Sequence, residues 1–171
     1  ADHSVVLGQR LNIAADLFAN GQFEESRAEA SAVVALADRN ESARAFRPIA
    51  IADLGAFTFA TGRTDEGMRL FEQGIDELLS QKGQDHPAVL DYRLERVDLE
   101  LELGRLDDAE RHIDALERSY RARTDRALAL AQLDGVHRAR LALARHQPRD
   151  AEARARAALT GLKELGGDDG D

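Results

Sequence analysis

Apolar residues recur at three- and four-residue intervals along most of this chain, which is the spacing of one face of an α-helix. Two clear stripes of this kind consist of Leu7, Leu11, Ala14, Leu17 and Phe18, and of Leu90, Leu94, Val97 and Leu101. Comparable stripes precede and follow four short turn segments. The pattern therefore predicts an all-α fold of eight helices in four pairs, with no strand.

The four turn segments begin at Gly21, Gly62, Gly104 and His146, so that successive starts are 41, 42 and 42 residues apart. Glycine after an apolar helical stripe is a typical helix C-cap, because it adopts a positive φ without a Cβ clash. Acidic residues follow each turn, where they interact favourably with the exposed N–H groups of a new helix. Each segment is thus predicted to be the tight turn of a helical hairpin, and only the fourth lacks its glycine.

The segment 97–103 alternates strictly between apolar and acidic residues, which is also the pattern of a half-buried strand. We predict a helix here for two reasons. Val97 and Leu101 are four residues apart, as are Leu99 and Leu103, so the segment also fits a helical face. A lone strand among helices would have no partner for its backbone groups.

Composition narrows the chemistry. Ala and Leu dominate the 43% of apolar residues, which favours helix. The chain has no cysteine, and its five histidines show no metal-ligand spacing, so we expect surface histidines and no metal or cofactor. A net charge of −9 opposes nucleic-acid binding, and no apolar run is long enough to span a membrane. A cysteine-free chain of this kind fits the cytoplasm.

Charge is distributed unevenly along the chain. Residues 85–124 carry 11 acids and 7 bases, whereas residues 125–171 carry eight of each, three of the acids lying in the segment 166–171. We predict that 166–171 is a flexible acidic tail. Acidic pairs such as Asp107-Asp108 are explained by helix starts, and no nucleotide-binding loop, nucleophile elbow or kinase motif is present. The sequence therefore predicts that this chain is not itself an enzyme.

The turns and their flanks resemble tetratricopeptide repeats. Leu54-Gly55 matches the family's Leu-Gly pair, Gly62 its turn glycine, and Ala109 and Ala151 its small residue in the second helix. The period exceeds the usual 34 residues and is similar to the longer variety of kinesin light chains and bacterial signalling proteins. The segment 83–87, Gly-Gln-Asp-His-Pro, is also typical of that variety.

This resemblance implies a right-handed superhelical stack of four hairpins over residues 1–165, with repeats at about 1–40, 41–84, 85–124 and 125–165. HEAT-like helical pairs are the alternative, because their period of about 40–47 residues also fits. The glycine turn followed by acids and a small residue favours the tetratricopeptide interpretation.

Similar arrays follow the catalytic domain of bacterial serine/threonine kinases, particularly myxobacterial ones. The resemblance therefore implies a protein–protein interaction scaffold within a larger signalling protein. The alternative is a peptide-sensing domain that switches a linked effector or DNA-binding domain. In this family the first helices of the pairs line a concave groove, which here would present Asn12, Asp53, Phe59, Leu94, Glu95, Asp98, Leu101, Glu102, His137 and Arg140.

The groove's mixture of acids and apolar residues predicts a protein or peptide partner that is basic and partly apolar. A solvated groove that binds nothing is the alternative. The first helix is apolar on more than one side, with Val5, Val6 and Ile13 outside its main stripe. We therefore expect it to pack against another part of a longer protein or to self-associate.

Overall fold

The computed structural model describes residues 3–123 and 126–165. Within these residues the chain is all-helical and has no strand, which confirms the predicted fold class at that level. Its eight helices are α1 (His3–Ala19), α2 (Phe23–Arg39), α3 (Arg47–Ala60), α4 (Thr64–Lys82), α5 (Pro87–Glu102), α6 (Leu106–Arg121), α7 (126–144) and α8 (Pro148–Leu165). The alternating segment lies largely in α5 and is helical as predicted. The expected acidic tail, 166–171, lies outside the described residues.

The chain divides into two compact units, Ala1–Val89 and Leu90–Asp171. In the first unit, a short 3₁₀ helix (Glu41–Phe46) leads into α3. The apolar stripes of α1 and α2 meet there in a core that also contains the start of α3; it consists of Leu7, Leu11, Val33, Ala37, Ala43 and Ala50. The second unit has its own core, which consists of Leu90, Val97, Ala109, Ile113, Leu116, Tyr120, Leu133 and Leu141.

The backbones of α3 and α4 touch each other. A Cβ atom added at Gly55, Gly67 or Gly74 would lie 2.7 Å from a carbon atom of the facing helix. Carbon atoms do not approach so closely, and therefore only glycine fits at these three positions. The close contact explains why the turn motif carries Gly67 where the third and fourth repeats carry alanine.

The four predicted turns share one backbone geometry. Gly21, Gly62 and Gly104 have φ values of 77°, 86° and 68°, and His146 adopts the same left-handed conformation at φ 59°. In each turn the N–H of this residue donates a hydrogen bond to the carbonyl three residues earlier, at 2.9 to 3.1 Å. The fourth hairpin therefore closes like the others although it lacks glycine, which L-residues can do only at a conformational cost.

We expect the substitution His146→Gly to stabilise the chain by about 0.5–1 kcal/mol. Glycine relieves a left-handed strain of roughly 1–2 kcal/mol. Its greater conformational freedom in the unfolded chain offsets part of this gain in stability. Urea unfolding at neutral pH measures the change. The matched control is Gly104→Ala, which introduces the same strain where no atom lies within 4 Å of the new Cβ and should destabilise by about 1 kcal/mol. A loss of stability in His146→Gly would mean that the imidazole makes compensating contacts.

Helix α7 is not a uniform α-helix. It consists of Arg126–Gln132, a π-helical stretch Leu133–Arg138, and Ala139–Ala144. Hydrogen bonds to the fifth preceding residue widen such a stretch, and π stretches inside α-helices occur frequently at functional sites. The sequence pattern predicted a helix here but not the change in helical type.

Candidate interaction surface

Three of the predicted groove residues meet within the second unit. Arg140 on α7 donates a hydrogen bond through Nη1 to Oδ1 of Asp98 on α5. Nε2 of His137 lies 3.4 Å from the same carboxylate oxygen. Because Arg140 offsets the charge of Asp98, this carboxylate attracts a basic partner less strongly than the sequence alone suggests.

His137 is buried, with 3% of its surface exposed, and Nδ1 has no hydrogen-bond partner. The expectation of a surface histidine in the groove is therefore wrong. The signal that could have corrected it is spacing: His137 lies four residues after Leu133 and four before Leu141, and both leucines belong to the core. Residues four apart lie on the same face of a helix, so His137 faces the core together with the two leucines.

The apolar groove residues serve the hairpin cores. Phe59 is only 9% exposed, and its backbone lies against Gly67 of α4, so the prediction that it faces a partner is wrong. Leu94 and Leu101 are half-buried and pack on the core of the second unit. An apolar stripe predicts that one face of a helix is buried, but it does not identify the contacting element. Here these side chains contact other helices of their own unit instead of a partner.

The remaining groove residues differ in exposure. Asn12 and Glu102 are exposed at the surfaces of their units. Asp53 and Glu95 are half-buried, and each interacts with another residue of the chain. The structure thus places Asp98, His137 and Arg140 in contact and leaves Glu102 as an exposed acid at the end of α5.

A buried carboxylate that the sequence did not single out joins α5 to α6. Glu100 is 2% exposed; its Oε1 accepts a hydrogen bond from Nε of Arg96 at 3.1 Å. Its Oε2 lies 2.8 Å from Nδ1 of His112 on α6. A buried charge needs such partners, since leaving it unpaired costs several kcal/mol. The four-residue spacing of Arg96 and Glu100 was the only sequence signal, and it does not distinguish a buried pair from an exposed one.

Arginines at the end of the chain pair with the excess acids of residues 85–124. Arg138 donates hydrogen bonds to Asp114 at 2.7 Å and to Glu117 at 2.5 Å, both on α6. Arg145, which follows the end of α7, donates to Glu110 of α6 at 2.8 Å. Together with Arg140, these arginines of the fourth repeat pair with five of the eleven acids of the third repeat within the second unit.

These ion pairs predict a loss of stability in acid. The pKa of Glu117 lies below its ordinary value of 4.5, because the carboxylate accepts hydrogen bonds from Arg121 and from Arg138, which outweigh the effect of burial. The pKa of Glu110 is lowered by its hydrogen bond from Arg145. A carboxyl whose pKa is depressed on folding stabilises the fold above its unfolded pKa, and this contribution disappears as the pH falls through the folded value. We therefore expect the free energy of unfolding to decrease as the pH is lowered from about 4.5.

Urea unfolding at several pH values between 7 and 3 measures this dependence. The variant Glu117→Gln cannot titrate at that position, so its stability should decrease less between pH 5 and pH 3 than that of the unmodified chain. An identical pH dependence in the two proteins would remove Glu117 from the explanation.

An open apolar groove of about 420 Å³ lies between α7 and α8. Its floor is made of small residues, and an added Cβ at Gly135 would overlap the Cβ of Ala158, so the two helices approach closely there. Val136 and Leu143 stand at its edge and are exposed, Leu143 by 56%. Of the groove residues predicted from the sequence, Arg140 lines this space, whereas the small residues around it are typical of helix packing positions and predicted no site.

The outer side of α1 is a second exposed apolar surface. Val5, Val6 and Ile13 are each about half exposed, whereas Leu7 and Leu11 on the inner side are buried. Exposed apolar surface of this kind commonly marks an interaction site when it is contiguous.

Residues 3–123 and 126–165 contain no group of three or more histidine, aspartate or glutamate side chains that could hold a metal ion. Nor is any helix among them both long and apolar enough to cross a bilayer.

Comparison with known proteins adds no relative. No protein-family model, curated protein or solved structure matches the chain. The tetratricopeptide resemblance therefore stays a prediction from the residues themselves.

Proposed function

We propose that this chain is a protein-interaction scaffold of the tetratricopeptide kind, whose four hairpins stack as a right-handed superhelix. The observation that carries the proposal is the recurrence of one turn geometry at Gly21, Gly62, Gly104 and His146. Repeated hairpins of one period build extended surfaces, which such proteins use for binding. We further propose that the chain belongs to a larger cytoplasmic signalling protein of bacterial type, such as a serine/threonine kinase.

Exposed apolar surface supports a binding role. Large apolar side chains stand at the surface on α1, α2, α7 and α8, outside the hairpin cores; the most exposed include Val5, Ile13, Leu128, Leu143 and Leu159. Such surface is costly in water and commonly marks a docking site when it is contiguous. Because Arg140 offsets Asp98, a preference for basic partners would rest chiefly on exposed acids such as Glu102.

Selection of displayed random peptides against the folded chain tests this function. We expect peptides that bind with micromolar affinity in solution titration. Basic, partly apolar peptides should bind less tightly to the variant Glu102→Gln and at high salt, because an exposed acid acts through a screened field. Failure to recover any peptide that binds in titration would overturn the scaffold function. Equal binding to Glu102→Gln would keep the function and remove the basic preference.

The outer side of α1 leads to a separate prediction of self-association. We expect the mean mass in sedimentation equilibrium to rise above the monomer mass of 18.8 kDa as the concentration increases. The double variant Val6→Lys and Ile13→Lys should remain monomeric, because charged side chains oppose burial of this surface. The control is Leu36→Lys on α2, another exposed apolar position. A monomeric unmodified chain at all concentrations would contradict the prediction.

A further inference from the structure

The α7–α8 groove has a counterpart in the first unit that is already occupied. Gly21 and His146 are the equivalent turn residues of the two hairpins, so positions 125 residues apart correspond. By this register Leu143 corresponds to Phe18 of α1. In the first unit Phe57 of α3 packs on Phe18, with ring centroids 5.0 Å apart. The first hairpin therefore holds a helix where the last hairpin presents an open groove.

Helix α3 contacts the first hairpin through a stripe of three residues. Arg47 at its start forms an ion pair with Asp38 of α2 at 2.6 Å. Ala50, three residues on, belongs to the core that α1 and α2 form. Phe57 lies ten residues after Arg47 and packs on α1. These spacings place all three on one face of a helix.

The last hairpin offers the corresponding positions with the charge reversed. Lys163 of α8 stands where α2 has Asp38, and it is exposed. The floor residues Ala139, Ala151 and Gly135 are small enough to admit a close helix, and Leu143 is open to a large side chain. Three of the arginines of α7 and its end are already paired with acids of α5 and α6, so the charge preference of this surface rests on the exposed Lys163. A helix that seats here gains from acids rather than bases.

We propose that the α7–α8 groove binds an acidic amphipathic helix of a partner protein, in the way that the first hairpin holds α3. The partner helix places an acid against Lys163, a small apolar residue three positions later and an aromatic residue ten positions later against Leu143. Apolar contact provides most of the affinity, and the ion pair sets direction and register. This inference rests on the proposed scaffold function and assigns it a binding surface, the α7–α8 groove, that shares Arg140 with the predicted concave groove.

A peptide copied from this chain is the probe. It spans residues 44–62, carries the change Arg47→Glu, and bears a fluorophore for anisotropy titration; we call it the acidic peptide. We expect micromolar binding to the full chain. The same peptide with Phe57→Ala should bind at least about tenfold more weakly, since it loses a buried aromatic side chain. These two peptides measure the apolar part of the interaction.

Protein variants locate the binding site. Ala155→Trp fills the groove from an exposed position on α8 and should weaken binding at least about tenfold. Ala153→Trp adds the same side chain to the exposed side of α8 away from the groove and should leave binding unchanged. Circular dichroism melts verify that both variants fold. Because the chain has no cysteine, a single Leu159→Cys variant can also carry a label near the site.

A charge exchange tests the register and does not depend on the tryptophan variants. The variant Lys163→Glu should bind the acidic peptide about two- to fivefold more weakly at low salt, and should bind the peptide that keeps Arg47 correspondingly more tightly. No binding of either peptide, equal binding to Ala155→Trp and Ala153→Trp, or an unchanged preference in Lys163→Glu would overturn the groove proposal. Peptides selected at random that bind elsewhere on the chain would still uphold the scaffold function, so the two failures are distinguishable.

Discussion

Replacing Gly74 by alanine should destabilise the chain by about 3 kcal/mol or more, although alanine is the better helix former. The new Cβ would lie 2.7 Å from the carbonyl oxygen of Pro48 and 2.7 Å from the Cβ of Ala52. Neither neighbour is the flexible end of a long side chain. Accommodation therefore requires α3 and α4 to move apart, which opens gaps along their interface. Helix propensity would return only about 1 kcal/mol of this cost.

The matched control is Gly161→Ala in α8. It makes the same chemical change within a helix, but no atom lies within 4 Å of the added Cβ. We expect a gain of about 0.5–1 kcal/mol there, less if the end of α8 frays. Urea unfolding of both variants gives the two signs directly. A neutral or stabilising Gly74→Ala would contradict backbone contact between α3 and α4.

Removing the imidazole of His112 should lower the free energy of unfolding by about 2–3 kcal/mol. His112→Ala leaves the carboxylate of Glu100 buried with Arg96 as its remaining partner among the contacts described. The cost arises mainly because Oε2 of the buried carboxylate loses its hydrogen-bond partner, and only in part from lost packing. Glu100→Met removes that charge, while Arg96 and His112, each 26% exposed, can reach solvent.

A double-mutant cycle separates the two causes. If the buried charge dominates, the double variant Glu100→Met and His112→Ala should be more stable than the sum of the single changes by about 1–3 kcal/mol. The control is Arg156→Ala, which removes one partner of the exposed Arg156–Glu152 pair and should cost less than about 0.5 kcal/mol. Additive single changes would mean that Glu100 and His112 do not act as a pair.

Local chemistry in the sequence was sufficient to predict the helices and their turns. A glycine that follows an apolar stripe ends a helix through its own φ preference, and acids after it favour the next helix start, so no distant residue is needed. The alternating segment in α5 required one further step, because its four-residue spacings agree with helix as well as its alternation agrees with strand. His146 shows the limit of residue identity, because it adopts the left-handed turn conformation without being glycine.

Only the tertiary structure decided which side chains face solvent and which face another helix. Phe59 and His137 lie on helices that the sequence predicted, yet both are buried, because a helix in a hairpin meets its paired helix as well as solvent. Asp98 was predicted as an attractive acid, and Arg140, which is 42 residues later in the chain, offsets it. Such contacts depend on the crossing and separation of helices; Phe59, for example, is buried where its backbone lies against Gly67 of α4. The α7–α8 groove likewise depends on the tertiary structure, because only the packing of the two helices shows that it is open where the first hairpin holds α3.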